Sequence, residues 1–336
     1  KENVIPPGAA VSCSDVMIGN GSQQLLYLLS EVLLDPGDIV LLEAPTYFVF
    51  LGILESLGAT TIGLDTDSDG LVPESLDAVL TRLKSEGRLA RVKFLYVMSY
   101  FANPTGRSWS GTRKREILEI LRRHSRNESP ILVVEDAAYR SLGEDDAVDP
   151  PLKSLDNENT EVLYLESFSK CLAPGLKVGC AVGPKEIIAK MVDLKGHHDF
   201  GTSNLSQQIL SQSIRSTWYD KHVADVRRTY REKRRRLVEC LAEVSKEDVS
   251  FEVPNGGFYL WMHLRDNRDT GPHSALFSRA VEEKVLYVPG AYCFSADRVE
   301  SRFCSWLRLS YGMISMEQLA EGVRRLGRAI DSAGIV

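Results

Sequence analysis

Runs of apolar residues of β-strand length alternate along the chain with stretches that have helical periodicity. Continuous Val, Ile and Leu runs separated by amphipathic segments are typical of a parallel sheet that is covered by helices on both faces. The strands are predicted at residues 38–43, 59–65, 91–99, 130–136 and 161–167, and the helices at residues 22–34, 48–58, 73–87 and 111–125. The pattern therefore predicts an α/β fold of three layers, doubly wound around a mostly parallel sheet.

The pattern changes after Ser203. A long helical stretch covers residues 204–244, with a break predicted near Trp218, and leads the chain out of the sheet domain. The segments that follow are two apolar strands, at residues 256–264 and 307–312, and two helices, at residues 273–284 and 316–330. We therefore expect a large domain at residues 1–219 and a smaller C-terminal α+β domain at residues 220–336.

The composition argues against several classes of partner. The chain has 336 residues, 43% of them hydrophobic, and its net charge of −6 does not favour binding to nucleic acid or to an anionic membrane. The basic run Arg227–Leu237 is interpreted as a solvated or subunit-facing helix face rather than a phosphate-binding patch. No apolar run reaches the ~18 residues of a membrane span, and we expect no signal peptide.

The cysteines and histidines predict neither a disulfide framework nor a metal site. Six cysteines are scattered along the chain without a C-x-x-C pair, which indicates reduced, mostly buried thiols in a cytoplasmic protein. The adjacent pair His197 and His198 is more typical of a protein surface than of a metal centre.

Candidate chemistry collects where strands end and helices begin, which is where open α/β sheets bind their ligands. Gly21 precedes a helix that starts with Ser22 and Gln23, so backbone N–H groups and a hydroxyl are available to an anion, although a simple helix cap explains the stretch equally well. Gln24 stands where a dinucleotide-binding fingerprint needs its third glycine, so an NAD site is disfavoured.

Three later strands also end in polar groups. Asn103 precedes Pro104, a pair that by itself indicates a turn. Asp136, with Tyr139 three residues later, either caps a helix or needs a positive partner, because an unpaired buried charge is costly. Lys170 follows the last strand, where desolvation would lower its pKa and make its amine nucleophilic, although most lone lysines are solvated surface residues.

Taken together, these groups match the needs of one cofactor, pyridoxal 5′-phosphate. Its aldehyde reacts with a lysine amine, its pyridine nitrogen needs a carboxylate, and its phosphate needs N–H, hydroxyl and basic partners. We therefore predict a pyridoxal-phosphate site and no metal.

Seven motifs then occur in a family's order over essentially the whole chain: NGSQQ, EAPTY, NPTGR, EDAAY, SFSKCLAPGLKVG, PNGGFYLW and RLSYG. With these motifs the chain resembles the fold-type I pyridoxal-phosphate enzymes of the class I/II aminotransferase family, in the branch of 2-aminoadipate, kynurenine and aromatic aminotransferases. The resemblance implies a homodimer with shared active sites. It also implies amino acids and 2-oxo acids as substrates.

The resemblance implies a role for each matching residue. Lys170 would be the Schiff-base lysine and proton carrier, and Asp136 would pair with the pyridine nitrogen. Tyr139 and Asn103 would donate hydrogen bonds to the phenolic oxygen of the cofactor, and Tyr47 would stack on its ring. The phosphate would be held by residues from two motifs: Gly21, Ser22, Gln23, Ser167, Ser169 and Lys177.

The substrate carboxylate would be bound bidentately by Arg308, with Asn103 beside it. Candidates for the side-chain pocket are Tyr292, Phe294 and the segment 197–204, read as a loop. Two features depart from the family. Lys177 stands where relatives have arginine, which removes bidentate geometry at the phosphate, and relatives have a longer segment before the NGSQQ motif.

The cofactor is better defined than the reaction. An aminotransferase that passes the amino group of an α-amino acid to a 2-oxo acid is the first hypothesis. A non-transaminating enzyme of specialised metabolism, which performs β/γ-elimination or replacement, carbon–carbon bond formation or oxidation, would use the same residues. A third hypothesis is an aminotransferase-like sensor domain of a transcriptional regulator.

Overall fold

The structure is a computed structural model that describes residues 11–125, 130–144, 149–244, 249–298 and 303–333. Within them the large sheet has eight strands: β1 (Val16–Gly19), β2 (Ile39–Ala44), β3 (Thr60–Asp67), β4 (Gly70–Leu71), β5 (Val92–Val97), β6 (Leu132–Asp136), β7 (Val162–Ser167) and β8 (Gly179–Val182). Their order across the sheet is β1-β8-β7-β6-β5-β2-β3-β4.

Parallel pairing dominates this sheet. The neighbours β7, β6, β5, β2 and β3 are all parallel, whereas β8 is antiparallel to β7 and β1, and β4 is antiparallel to β3. The prediction of a mostly parallel, doubly wound sheet is confirmed.

Helices cover both faces of the sheet. The helices of this part of the chain are α1 (Ser22–Leu33), α2 (Phe48–Ser56), α3 (Pro73–Ser85), α4 (Gly111–His124), α5 (Lys185–Asp199) and α6 (Asn204–Arg215). Alternate residues of β2 face opposite layers: Val40 and Leu42 belong to the apolar cluster that contains α1, and Ile39 and Leu41 to the cluster that contains α3 and α4. This alternation produces the three layers that the apolar pattern predicts.

The C-terminal part forms a smaller antiparallel sheet with helices on one face. Its elements are α7 (Trp218–Val244), β9 (Val249–Phe251), β10 (Tyr259–Leu264), α8 (Ala275–Glu282), β11 (Val288–Pro289), β12 (Trp306–Ser310) and α9 (Met316–Ala333), and its strand order is β11-β12-β10-β9. Leu260 and Leu307 are fully buried in the helix-facing core. Trp261 and Arg308 are directly opposite each other in register and share the other face.

The break near Trp218 is confirmed, because α6 ends at Arg215 and α7 begins at Trp218. The first turn of α7 still packs on the large sheet domain, where the ring of Tyr219 lies 6.5 Å from that of Phe168. The domain boundary near residue 220 stays a prediction.

Some features differ from the predictions. The segment 197–204 is not simply a loop, because His197, His198 and Asp199 form the last turn of α5. The basic run divides between two faces of α7. Arg234 is buried and pairs with Glu144, whereas the neighbouring Arg235 is exposed, so the run is only partly solvated.

No helix in the described part of the chain combines the length and the apolar character that a membrane crossing needs. Four cysteines are buried, namely Cys171, Cys180, Cys240 and Cys293, which confirms that most of the thiols lie in the interior.

The central position of Leu41 allows a test of the core. Leu41→Ala removes a side chain that is 0% exposed between the sheet and the layer of α3 and α4. Such a change costs about 2–5 kcal/mol, and for a chain of this length we expect the melting temperature to fall by roughly 3–7 °C in a thermal denaturation measured by circular dichroism. Leu286→Ala, at a side chain that is 74% exposed, is the matched control. Equal melting temperatures for the two variants would contradict this packing.

Candidate active site

The carboxyl ends of the parallel strands bring the predicted residues to one edge of the sheet. β6 ends with Asp136, and β7 ends with Ser167, three residues before Lys170. Tyr47 is the N-cap residue of α2, three residues after the end of β2. Asn103 lies in the segment that follows β5, in a cis peptide bond with Pro104.

Asp136 is a buried carboxylate without a cation of its own. Its side chain accepts hydrogen bonds from the Tyr96 hydroxyl (3.1 Å) and from the backbone N–H of Ala138 (3.1 Å). The ion pairs of the described residues include none to Asp136. Burial raises the pKa of Asp136 to about 6, while the two hydrogen bonds and the charge of Lys170 oppose the rise. A cationic N–H partner would therefore stabilise the charged form of this carboxylate.

Lys170 is an amine held in a partly desolvated place. Burial lowers its pKa, the positive charges of Lys177 and Arg308 lower it further, and the carboxylate of Asp136 acts in the opposite direction. Its Nζ lies 5.8 Å from the centroid of the Phe258 ring. A lowered pKa increases the fraction of neutral amine, which is the nucleophilic form.

The predicted phosphate ligands surround the start of α1. Gly21 has a φ of 83°, which favours glycine, and the helix begins at Ser22. A Cβ on Gly21 would lie 4.0 Å from the Oγ of Ser169, and one on Gly179 would lie 3.0 Å from the Cα of Gly21. The helix start, the Ser167–Ser169 segment and β8 are therefore in close contact.

The other predicted phosphate ligands border this place. Gln23, in the first turn of α1, and Lys177 are exposed. Lys177 has a φ of 51° in the turn after Leu176, and its charge acts on Lys170. Ser167 is buried, and its Oγ accepts a weak hydrogen bond from the Ser169 N–H (3.4 Å).

Arg308 reaches this edge from the small sheet. Its Nη1 donates to the Oδ1 of Asn103 (2.6 Å), and its guanidinium carbon lies 4.1 Å from the ring centroid of Tyr259 and 5.4 Å from that of Phe48. Its Nε is buried and has no hydrogen-bond partner in the described part of the chain. An unsatisfied buried N–H is costly, so this edge of the guanidinium is suited to an anionic ligand.

Two predicted tyrosines complete the arrangement. The hydroxyl of Tyr139 donates to that of Tyr259 (3.3 Å). Burial raises the pKa of Tyr139 well above its usual value, and burial followed by the charge of Asp136 raises the pKa of Tyr47 to about 12. Both phenols therefore stay protonated and able to donate at neutral pH.

Sequence reasoning missed Tyr96, Tyr259 and Phe48. Tyr96 is an internal strand residue and belongs to none of the seven motifs. Tyr259 and Phe48 lie inside or next to quoted motifs, and the available signal was their aromatic character beside PNGGF and PTY. Of the suggested side-chain pocket residues, Phe294 is buried against Phe303 with ring centroids 4.0 Å apart, whereas Tyr292 is 48% exposed.

No cluster of three or more potential metal ligands occurs among the residues that the structure describes. A buried carboxylate lacking a cation, an amine of lowered pKa, a helix start beside two serines and an unsatisfied arginine are instead the donor set of pyridoxal phosphate and an amino acid. Fold and site thus define a pyridoxal-phosphate-dependent enzyme of fold type I.

The family is shown by comparison with known proteins. The profile of the family described as aminotransferase class I and II matches residues 8–326, and the chain belongs to this family. The 2-aminoadipate transaminase of Thermus thermophilus is 36% identical over 318 residues, which are 94% of this chain and 75% of that enzyme. The HTH-type transcriptional regulator YdfD of Bacillus subtilis is 34% identical over 96% of this chain, which spans only 62% of the regulator's length.

Solved structures agree with this assignment. The kynurenine aminotransferase of Pyrococcus horikoshii, in complex with PMP, superposes with a TM-score of 0.86 at 33% identity, covering 96% of this chain and 76% of that one. The α-aminoadipate aminotransferase LysN of Thermus thermophilus, complexed with N-(5′-phosphopyridoxyl)-L-leucine, superposes with a TM-score of 0.84 at 34% identity, covering 96% and 79%. The cofactor of the chain is accordingly pyridoxal phosphate.

The raised pKa of Asp136 predicts a pH-dependent stability in protein prepared without the cofactor. Because the folded pKa of about 6 exceeds the ordinary aspartate pKa of 3.8, the folded state binds the proton more tightly than the unfolded state does. The stability that this provides is present below pH ~4 and lost as the pH rises through 6, by roughly 3 kcal/mol in all. Asp136→Asn never ionises, so its melting temperature should exceed that of the wild type at pH 8.

The advantage of Asp136→Asn should shrink progressively towards pH 4, as thermal denaturation at a series of pH values would show. Asp225→Asn, at a carboxylate on the exposed surface of α7, is the control and should show no such trend. A difference between Asp136→Asn and the wild type that stays constant from pH 4 to pH 8 would contradict the burial of an uncompensated charge.

Proposed function

We propose that the protein is an aminotransferase, which passes the amino group of an α-amino acid to a 2-oxo acid. The observation that carries the proposal is the convergence of Lys170, Asp136 and Arg308: an amine of lowered pKa, a buried carboxylate without a cation, and an arginine with an unsatisfied buried N–H. These groups suit, in turn, a carbonyl carbon, a ring cation and a carboxylate, which are the parts of the cofactor and of an amino acid that the reaction uses.

The bound cofactor supplies an electron sink for the bonds at the substrate Cα. Lys170 would hold the aldehyde carbon and, once displaced, would carry a proton from the substrate Cα, a task for which its lowered pKa suits it. Asp136 would keep the ring nitrogen protonated, since a cation beside it also relieves the cost of its own burial. Tyr139 and Asn103 would donate to the ring oxygen, and Tyr47 would lie against the ring.

The phosphate would lie at the start of α1, where the helix N-terminus supplies unpaired N–H groups. Gly21, Ser22 and Gln23 form that start, and Ser169 is next to it. Ser167 and Lys177 complete the proposed set. Lys177 would act as an exposed point charge, which neutralises a phosphate without the bidentate geometry of arginine.

Arg308 would bind the substrate carboxylate through the edge that its contacts leave available. Asn103 takes one Nη1 hydrogen bond, and the Nε–H has no partner among the described residues. Since Asn103 accepts from Arg308 through Oδ1, its amide N–H groups remain for the cofactor or the carboxylate. A carboxylate at this place is therefore near the same atoms that would hold the ring oxygen.

Transamination is preferred to the other chemistries because several similar proteins are named as aminotransferases. Besides those already described, the aromatic-amino-acid aminotransferase 1 of Thermococcus litoralis is 30% identical over 95% of this chain. No contact in the described residues favours elimination, carbon–carbon bond formation or oxidation.

A sensor domain of a transcriptional regulator is the second candidate. The observation that favours it is the similarity to YdfD and to YisV, another HTH-type regulator of Bacillus subtilis. The chain spans 60% of the length of YisV. A sensor would bind the cofactor without turning over a pair of substrates, so the same experiment separates the two candidates.

We further propose a cytoplasmic homodimer with shared active sites. Several exposed apolar side chains lie around α5 to α7, where Phe200, Leu205 and Trp218 are 99%, 72% and 52% exposed, and others, such as Leu286 and Met313, lie in the C-terminal part. Large exposed apolar residues in one region are typical of a subunit interface. The buried thiols support a reducing compartment.

An amino-acid panel tests the function. Protein loaded with pyridoxal phosphate should show the visible absorption band of a lysine-bound cofactor, and suitable amino acids should convert it to the pyridoxamine form, which a 2-oxo acid reverses. Lys170→Ala should lose the band, whereas Lys185→Ala, at an exposed lysine of α5, should keep it. Ammonia or peroxide release without conversion would contradict transamination, and a stable band unaffected by any amino acid would favour the sensor.

The carboxylate site is tested by Arg308→Ala. Losing a charge-assisted hydrogen bond costs about 1.5–3 kcal/mol, so KM for every amino-acid substrate should rise about 10- to 150-fold. Arg308→Lys keeps the positive charge but loses the bidentate geometry of the guanidinium, so its KM should lie between those of the wild type and Arg308→Ala. Arg279→Ala, at an exposed arginine, is the control. An unchanged KM in Arg308→Ala would show that the carboxylate binds elsewhere.

A further inference from the structure

Tyr259 connects two parts of the site that the proposed function treats separately. It is the first residue of β10, its side chain is buried, and it lies between the small sheet and the end of β6. Its ring faces Arg308 at 4.1 Å, and its hydroxyl lies 3.3 Å from that of Tyr139. One side chain therefore contacts both the proposed carboxylate ligand and a proposed ligand of the cofactor ring.

The ring of Tyr259 fixes the plane of Arg308. A guanidinium that stacks on an aromatic face gains cation–π attraction and loses rotational freedom. Phe48 lies 5.4 Å from the same guanidinium carbon, and Asn103 holds its Nη1. With its plane and one nitrogen held, the remaining Nε–H has a defined direction. This contribution needs an aromatic ring and no hydroxyl.

The hydroxyl of Tyr259 has a different partner. In the structure Tyr139 donates to it, and no other described residue bonds to either hydroxyl. When Tyr139 donates to the ring oxygen of the cofactor instead, its own hydroxyl oxygen is free to accept a hydrogen bond. That oxygen is buried and lies within hydrogen-bond distance of the Tyr259 hydroxyl. Tyr259 can then reverse its role and donate to Tyr139. A phenol that accepts a hydrogen bond is a stronger donor, because hydrogen bonds in a chain polarise one another.

We propose that Tyr259 is a positioning residue that couples the substrate-carboxylate site to the cofactor ring: its ring orients Arg308, and its hydroxyl strengthens the hydrogen bond that Tyr139 donates. The proposal rests on the proposed function. It makes the two halves of Tyr259 separable by mutation, since Tyr259→Phe removes the hydroxyl and keeps the ring, whereas Tyr259→Leu removes both.

The readout is the pH titration of the visible band of the bound cofactor. A weaker hydrogen bond from Tyr139 leaves more negative charge on the ring oxygen, which holds the neighbouring proton of the Lys170–cofactor linkage more tightly. The titration midpoint should therefore rise in Tyr259→Phe, by about 0.2–1 pH unit for a loss of part of one hydrogen bond. The ionisable groups that face Tyr139 are Asp136, Tyr47 and Tyr259. Each variant is compared with the wild-type protein, in which all three groups contribute to the midpoint.

The decisive experiment is a double-mutant cycle. Tyr259→Phe should shift the midpoint in the wild type but not in the Tyr139→Phe background, because the effect passes through the Tyr139 hydroxyl. Equal shifts in both backgrounds, or no shift in Tyr259→Phe, would overturn the hydroxyl's role. If wild-type protein shows no cofactor band, the proposed function and this inference fail together, which distinguishes that failure from a failure of the inference alone.

The ring's role is measured separately by titration with a carboxylate that lacks an amino group, glutarate or 3-phenylpropionate, whichever binds the wild type more tightly. Tyr259→Phe should bind it within about twofold of the wild type, and Tyr259→Leu should bind it about 3- to 30-fold more weakly, the range expected for a lost cation–π contact. Equal affinities for Tyr259→Leu and the wild type would overturn the coupling to Arg308.

Discussion

Parallel pairing of β2, β5, β6 and β7 is the constraint on which the site depends. All four strands end at the same edge. Asp136, the last residue of β6, and three residues that follow the other strands, Tyr47, Asn103 and Lys170, therefore gather there although they are far apart in the sequence. The antiparallel strand β8 then brings Gly179 against Gly21 and closes the edge next to the start of α1. The small sheet contributes Arg308 from outside, across the ring of Tyr259.

Burial determines how these groups behave. Asp136 and Lys170 influence one another electrostatically, yet burial shifts both pKa values towards the neutral forms. Charge is therefore costly at both places, and a ligand that brings a cation to Asp136 and reacts with the amine of Lys170 relieves both costs. The buried Nε–H of Arg308, which lacks a hydrogen-bond partner among the described residues, is costly too, and a bound carboxylate relieves that cost. Unfavourable arrangements of this kind are typical of functional sites, where a bound ligand supplies the missing partners.

Much of this fold could be predicted from the sequence. The buried strands of the parallel sheet and the helices α1 to α4 have strong periodicity and are observed within a few residues of their predicted positions. The short strands β1 and β8 were missed, because four residues carry little pattern and their antiparallel pairing joins Val16 to Val182. Helix α5 has a mixed, weakly amphipathic sequence, so the pattern does not distinguish its last turn from a loop.

The candidate site was predicted unevenly for a similar reason. Motif residues such as Lys170 and Asp136 stand at strand ends, which are visible in a sequence. Tyr96 and Tyr259 act through contacts across strands and domains, to Asp136, Tyr139 and Arg308, and no spacing along the chain records such contacts. Partners of this kind become recognisable only when the strands are aligned in space.

The identity of the reactive amine is the most direct test of the site. Protein incubated with pyridoxal phosphate is reduced with sodium borohydride, digested and analysed by peptide mass spectrometry. The added pyridoxyl-phosphate mass should lie on Lys170 and not on Lys177, seven residues later in the same motif. Modification of Lys177 instead, or labelling spread over surface lysines, would contradict the convergence of the strand ends on Lys170.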